Sequence, residues 1–154
     1  MNIPDLLTEL GNQMGLEGLK LDGDGVCRLV FDGKFAVDFE SAEGGKVLHV
    51  YTILSPLPGE GLEALSLRLL GANLFGQETG GAVFAVDPDP GEVVFFRTFY
   101  MERIDFQDFI GCLESFVNHV EGWIGEIARI PSDAVAEPAE GPPPGESGTE
   151  FIRA

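Results

Sequence analysis

The side chains that could carry out acid–base or nucleophilic chemistry are few and widely separated in this sequence. The two histidines, His49 and His119, have no cysteine, serine or acidic partner at a spacing typical of a catalytic motif, so we interpret both as structural. With 26 Asp and Glu residues, some carboxylate pairs will lie close by chance, and proximity alone would not indicate an acid–base site. The sequence therefore favours a protein that is not an enzyme.

Motifs for metal and phosphate binding are incomplete. Asp22-Gly-Asp24-Gly resembles the start of a calcium-binding loop, but Val26 occupies the third ligand position and no Glu stands at the twelfth. The glycines between residues 76 and 81 lack the Lys-Ser/Thr of a phosphate-binding loop. Cys27 and Cys112 have no metal-like spacing and are typical of small buried side chains in a reducing compartment. We expect no metal site, no cofactor and no disulfide.

The charge balance excludes several classes of partner. Nine Lys and Arg residues stand against 26 Asp and Glu, which gives a formal net charge of −17, and such a surface repels nucleic acids and anionic membranes. The 44% hydrophobic content is too high for a disordered acidic chain. No apolar run approaches the roughly 18 residues of a membrane span, and the N-terminal residues lack the basic region of a signal peptide. We expect a cytoplasmic protein that neither binds nucleic acid nor inserts into membranes.

The apolar periodicity predicts an α+β fold with the element order α-β-β-β-α-β-β-α. This order is typical of a sandwich of antiparallel sheet and helices. We assign residues 1–130 to this domain and residues 131–154, rich in Pro, Gly and acidic residues, to a flexible tail. The predicted helices span residues 3–14, about 62–75, and 106 to just before Pro131; the predicted strands span residues 26–31, 35–40, 47–54, 82–86 and 93–100.

The second helix carries two nearly opposite apolar stripes. At 100° per residue, Leu62, Leu65, Leu69 and Ala72 fall on one side. The nearly opposite side carries Leu67, Leu70 and Leu74. A helix that packs on one sheet buries only one stripe, and a second copy of the chain is the simplest cover for the other. The fifth strand, VVFFRTFY, is apolar on both faces and is expected to be central or at an interface. We therefore predict a homodimer through the second helix, with these interface residues: Leu67, Leu70, Leu74 and Phe95.

Further apolar side chains exceed what one small helix should cover. They lie in the first helix, in the segment that follows it and in the first two strands. For any one of them a place in the core is the simpler interpretation. As a set they suggest surface grooves that could hold an apolar segment of another chain.

Several stretches, taken in order, resemble the class I type III secretion chaperones of the Tir-chaperone (CesT-like) family. They are distributed over nearly the whole range of residues 5–128: LTELGNQMGL at 7–16, LKLDGDGVCRL at 19–29, LSPLP at 54–58, LLGANL at 69–74, GAVFAVD at 81–87, IDFQDF at 104–109, LESF at 113–116 and EGW at 121–123.

The resemblance implies a homodimeric, ATP-independent chaperone that dimerises through its second helix. It implies that the N-terminal chaperone-binding segment of a secreted effector wraps around the dimer in an extended form and stays soluble and export-competent until the secretion ATPase releases it. In the family, cargo lies against the first helix and the adjacent strands. On that basis we assign cargo binding to the following residues: Leu6, Leu7, Leu10, Leu16, Phe31, Phe35, Val37 and Phe39.

Two alternatives to a secretion chaperone stay open on the sequence alone. A cytoplasmic adaptor of the same fold, not tied to secretion, would capture a folded domain rather than an extended segment. A small hydrolase would need a concave pocket with converging acids of perturbed pKa, which the sequence supports poorly.

Overall fold

A computed structural model of the protein describes residues 1–130; the predicted tail lies outside the described residues. The described part is α+β with the predicted element order. Its helices are α1 (Ile3–Met14), α2 (Leu62–Ala72) and α3 (Phe106–Arg129), and its strands are β1 (Val26–Phe31), β2 (Phe35–Ala42), β3 (Val47–Pro56), β4 (Val83–Asp87) and β5 (Glu92–Tyr100).

Local capping fixes the first and last helices. The Asn2 side chain accepts a hydrogen bond from the Asp5 backbone N–H at 2.8 Å, and α1 ends at Gly15 in a left-handed conformation. The Asp105 side chain accepts one from the Asp108 N–H at 2.9 Å, as the sequence predicts for the start of α3. Such caps satisfy backbone donors that the first helical turn leaves unpaired.

The five strands form one antiparallel sheet with the order β1-β2-β3-β5-β4. The first three strands form an antiparallel meander. Strand β5 lies between β3 and β4, which agrees with the prediction of a central position for VVFFRTFY. Strands β1 and β4 are the two edges of the sheet.

One core joins a face of the sheet to all three helices. From the sheet it contains Val37, Val50 and Phe95, which are fully buried. The Phe95 ring stacks on Phe116 of α3, with centroids 5.2 Å apart. Alternate strand residues face the other way, and that opposite face exposes Ile53 and Tyr100.

Helix α2 ends three residues before the predicted boundary. The helix stops at Ala72, and a short 3₁₀ turn spans Leu74–Gly76. Within this turn Phe75 has φ 55° and Gly76 has φ 68°, both in the left-handed region, so the α-helix cannot continue. The periodicity of leucines hid this break, because Leu74 still falls in phase with the exposed stripe of the helix.

Candidate interaction surfaces

The exposed side of α2 carries a cluster of large apolar side chains. Leu67, Leu70 and Leu74 are 65%, 66% and 62% exposed, and Phe75 beside them is 87% exposed. We call these four residues the α2 surface. The other stripe behaves as predicted: Leu65, Leu69 and Ala72 are buried against the core, while Leu62 in the first turn is half exposed. The helix therefore has the two opposite apolar stripes that the sequence indicates.

The side chain of Phe75 is exposed, and its backbone adopts a strained left-handed conformation. A bulky residue at φ 55° is rare, and the left-handed conformation costs about 1–2 kcal/mol for a residue with a Cβ. Within the described chain this exposed ring gains little packing in return. Strained residues of this kind cluster at binding and switch sites, which marks Phe75 as a candidate contact residue.

An apolar groove separates α2 from the edge strand β4. It encloses about 190 Å³, and its apolar lining includes these residues: Leu57, Leu62, Leu65, Leu69, Leu70, Phe84, Val86 and Val93. Leu70 belongs both to this groove and to the α2 surface. The groove and the surface thus form one continuous apolar region at this end of the molecule.

Two sets of hydrogen bonds fix α2 in place. The side-chain amide of Asn73 pairs with both backbone groups of Phe84: the amide nitrogen donates to the carbonyl at 3.1 Å, and the amide oxygen accepts from the N–H at 2.8 Å. The Arg68 guanidinium donates to Glu78 at 2.7 Å, which raises the pKa of Arg68, and lies 4.7 Å from the centre of the Trp123 ring. The α2 surface therefore rests on a rigid support.

One residue of the predicted dimer interface, Phe95, lies inside the molecule. Phe95 is fully buried, between Phe84 at 4.7 Å and Phe116 at 5.2 Å. Its position follows from the register of β5, whose odd-numbered residues face the core while Val94 and Phe96 face outward. Phe95 supports β4 from within the chain, and an interface at α2 would consist of the exposed leucines and Phe75.

A second groove lies between α1 and α3. It encloses about 460 Å³. Leu10 and Leu113 form its buried floor, and Met14, Ile110 and Val117 are accessible on its walls. Phe31 from the end of β1 closes one side, and the remaining lining is polar: Gln13, Glu114 and Asn118. We call this the α1–α3 groove.

The predicted cargo residues divide into a buried and an accessible set. Leu16 is exposed, while Phe31 and Phe35 are half-buried and stack on each other with centroids 6.0 Å apart. The others are fully buried in the core, so in this conformation they support the surface rather than form it: Leu6, Leu7, Leu10, Val37 and Phe39. Helical and strand periodicity identified the apolar faces of α1 and β2, and those are the faces that the core covers.

Four accessible residues were not assigned to a binding surface from the sequence, although Met14 was counted among the apolar side chains of α1 that suggest a groove. Met14, Ile110 and Val117 line the α1–α3 groove, and Phe75 dominates the α2 surface. Ile110 and Val117 belong to the long apolar stripe of α3, and nothing in that periodicity separates the groove residues from the core. For Phe75 a signal did exist, because Gly76 directly after an apolar helix is typical of a helix end.

The outward face of the sheet carries a polar cluster. Asp38 is buried and accepts two hydrogen bonds from Arg28, at 2.6 and 2.7 Å, which raises the pKa of the arginine. Burial, and next a hydrogen bond with Glu40, raises the pKa of Tyr51 to about 12. Arg28 therefore neutralises the buried carboxylate of Asp38, and both residues line an open cavity of about 390 Å³.

The two histidines are engaged in structural contacts. His49 lies 3.0 Å from the Thr98 hydroxyl across the β3–β5 pair. His119 Nδ1 lies 2.7 Å from the backbone carbonyl of Ser115, a geometry that makes this nitrogen a donor. It therefore cannot act as a base toward the Ser115 hydroxyl, 3.4 Å away.

Neither a metal cluster nor a membrane helix is found in the described part of the chain. Within residues 1–130, His, Cys, Asp and Glu residues form no group of three or more that could hold a metal ion. None of the three described helices is both long enough and apolar enough to cross a bilayer.

The sequence of residues 5–124 matches the profile of the Tir chaperone protein (CesT) family. The chain belongs to the CesT family. This confirms the resemblance to CesT-like type III secretion chaperones, and the match covers all elements of the fold except the last turns of α3.

Individual proteins are similar to this chain over most of its length. A protein of Chlamydia pneumoniae is 28% identical over 123 residues, which is 79% of this chain and 93% of the relative. The structure of the ExsC–ExsE complex has a TM-score of 0.67 at 22% identity, covering 85% of this chain and 98% of the matched one. The HopA1–SchA chaperone–effector complex has a TM-score of 0.65 at 17% identity, covering 79% and 91%. The two structures share the fold of this chain.

Proposed function

We propose that this protein is a cytoplasmic type III secretion chaperone that binds the N-terminal chaperone-binding segment of an effector. It keeps this segment soluble and competent for export without hydrolysing ATP itself, and the secretion ATPase is a further partner at release. The observation that carries the proposal is that a CesT-family domain leaves two separate apolar regions uncovered: the α2 surface and the α1–α3 groove.

The α2 surface serves as the homodimer interface. Its leucines project from one side of a helix that Arg68 and Asn73 hold rigidly, and Phe75 projects beside them. In a twofold dimer each α2 surface meets its own copy, so an apolar patch needs no charged complement. Phe75 of one protomer would then fill apolar space in the other, which offsets the strain in its backbone.

The α1–α3 groove, with Leu16, Phe31 and Phe35 near it, serves as a cargo site. Apolar side chains of an extended segment would enter the groove, and the cargo backbone would pair with a sheet edge. The formal charge of −17 per chain favours a basic cargo segment and discourages self-association of uncovered grooves.

The first experiment isolates the protein from its own cells under mild conditions, identifies co-purifying chains and measures the mass of the complex by light scattering. Two copies of this chain with one secreted protein are expected. Brief proteolysis should cut the extended N-terminal segment of that protein at exposed positions and leave intact the fragments that the chaperone covers. Capture of a folded domain instead would favour the adaptor alternative. A monomer with no partner would contradict both the dimer and the chaperone assignment.

A further inference from the structure

We propose that the segment Phe151-Ile152-Arg153 of this chain docks into the α1–α3 groove of the same chain and occupies it when no other partner is bound. The groove has a buried apolar floor, its walls combine apolar and polar side chains, and Met14 on one wall is 41% exposed. The choice of occupant rests on composition, reach and charge.

Composition singles out this segment within residues 131–154. The stretch from 131 to 150 consists mainly of Pro, Gly, Ala, Ser and acidic residues, with Val135 as its one larger apolar side chain. Phe151 and Ile152 are the one pair of adjacent large apolar residues beyond α3. An aromatic and a branched side chain side by side suit a groove lined by Met14, Ile110 and Val117.

The length of residues 131–150 favours this groove over a second groove that lies beside Ile130. At a rise of 1.5 Å per residue, Val117 lies about 20 Å and Ile110 about 30 Å back along α3 from Ile130. Twenty residues span at most about 66–72 Å when fully extended, at about 3.3–3.6 Å per residue, so residues 131–150 are long enough to bring Phe151 to either position. The effective concentration of a tethered segment is highest when the length of the linker matches the span, and a span of about 20–30 Å suits twenty residues better than a site beside Ile130.

The alternative groove lies next to Ile130 itself. It encloses about 260 Å³ between Pro56, Glu60, Leu65 and Ile127. A linker of twenty residues is far longer than that span needs, which lowers the effective concentration of the segment there. The α1–α3 groove therefore has the advantage.

Charge favours one orientation of the docked segment. Arg153 is the one basic residue in residues 131–154, and it directly follows the apolar pair. Glu114 is the one charged residue that lines the α1–α3 groove, and it is exposed at its rim. A weak surface ion pair between them would place the arginine at the rim while Phe151 and Ile152 enter the groove.

The docking is tested on the full chain without any effector. A nitroxide label is attached to Glu150→Cys in a Cys112→Ser background, since Cys27 is buried, and amide NMR signals are recorded with the label active and reduced. We expect broadening of the signals of Met14, Ile110 and Val117. The double variant Phe151→Ser/Ile152→Ser should abolish it, and the matched control Val135→Ser should leave it unchanged.

Three results would overturn the proposal. The groove signals could stay sharp; the broadening could survive the double serine variant; or it could centre on Pro56 and Ile127 instead. Broadening that appears when label and isotope are on different chains, but not within one chain, would likewise overturn docking within the same chain.

A consequence for cargo depends on the function proposed above. If the groove binds an effector segment, the double serine variant should bind that segment severalfold more tightly, because the competing occupant is gone. If the affinity is unchanged but the label broadens the groove signals, the result contradicts only the proposal that the groove binds cargo. Failure of the label experiment would contradict the docking alone.

Discussion

The indole N–H of Trp123 donates a hydrogen bond to the backbone carbonyl of Glu78 at 3.1 Å, across 45 residues of sequence. The same ring meets Phe84 edge-on at 4.7 Å and lies under the Arg68 guanidinium. One side chain of α3 thus joins α2, the loop before β4 and β4 itself. This junction supports the whole α2 surface.

Trp123→Phe should lower the free energy of unfolding by about 1–2 kcal/mol, because the hydrogen bond is lost and a smaller ring leaves a gap. Urea denaturation followed by circular dichroism measures it, at fixed protein concentration because association also stabilises the fold. Glu78→Ala is the control: it keeps the backbone carbonyl and loses only an exposed ion pair with Arg68, so it should cost less than about 1 kcal/mol. A larger loss for Glu78→Ala than for Trp123→Phe would contradict this reasoning.

Leu70→Asp should convert the protein from dimer to monomer without unfolding it. The side chain is exposed in the single chain, so the charge is costly only where a second apolar surface meets it. Light scattering after size exclusion gives the mass, and circular dichroism checks the fold. Val30→Asp is matched, since Val30 is similarly exposed but lies on β1, away from α2, and its dimer should persist. A dimeric Leu70→Asp protein would remove α2 from the interface.

Phe75→Asn should move two measured quantities in opposite directions. Asparagine tolerates the left-handed conformation better, so the unfolding free energy of the dilute protomer should stay equal or rise by up to about 1 kcal/mol. The dimer dissociation constant should increase at the same time, because the exposed ring is lost. Unfolding curves at low concentration and sedimentation across a concentration series provide the two readouts. A drop in protomer stability with unchanged association would show that the ring packs within its own chain.

Met14→Asp should weaken capture of an effector segment at least tenfold while leaving fold and dimer intact, since Met14 is accessible on the wall of the α1–α3 groove. Titration with a fluorescent segment gives the affinity. Asn12→Asp adds the same charge to the same helix outside the groove lining, so its affinity should match the parent. Leu10→Asp is unsuitable for this purpose, because Leu10 is fully buried and a charge there should unfold the protein. Equal affinities of the Met14 and Asn12 variants would place the cargo elsewhere.

Stability should fall at alkaline pH through Tyr51. Its pKa is raised to about 12 in the folded state, mainly by burial, so folding favours the protonated phenol. The stabilisation is complete below the unfolded pKa, about 10, and is lost as pH rises through about 12. Comparison of unfolding midpoints of the parent and Tyr51→Phe between pH 9 and 12 isolates this contribution. Identical pH profiles of the parent and Tyr51→Phe would show that folding does not raise the pKa of Tyr51.

Most of the fold follows from local signals in the sequence. The helix boundaries at Asn2 and Asp105 rest on side-chain caps, and the strands rest on alternation, as in Phe35 to Phe39. The exposed stripe of α2 was predictable because a helix that packs on one sheet buries only one of its sides, which leaves the second apolar stripe exposed. Phe95 was placed at the dimer interface because both faces of β5 are apolar, and only the register with β3 and β4 decides which residues point inward.

The cargo surface was harder to predict. Periodicity locates an apolar face, but whether a residue such as Leu10 forms the floor or the wall of a groove depends on how α1 and α3 are spaced. That spacing is set by the sizes of side chains distant in sequence, including Phe109 and Phe116 in the core. Such tertiary information is absent from any local pattern.

The amide of Asn73 has a consequence for assembly. Edge strands with free backbone groups invite pairing with further chains and, when both edges of a sheet are free, growth into fibres. In β4 the backbone groups of Phe84 point away from β5 and are already occupied by Asn73, and the strand has only five residues. At the other edge, Asp22 likewise occupies both backbone groups of Val26 in β1: the Val26 N–H donates to the Asp22 carboxylate at 3.0 Å, and the Val26 carbonyl accepts from the Asp22 N–H at 2.8 Å. Each edge of the sheet thus has one pair of backbone groups already bonded, which disfavours continuous strand addition to a protein with large apolar surfaces.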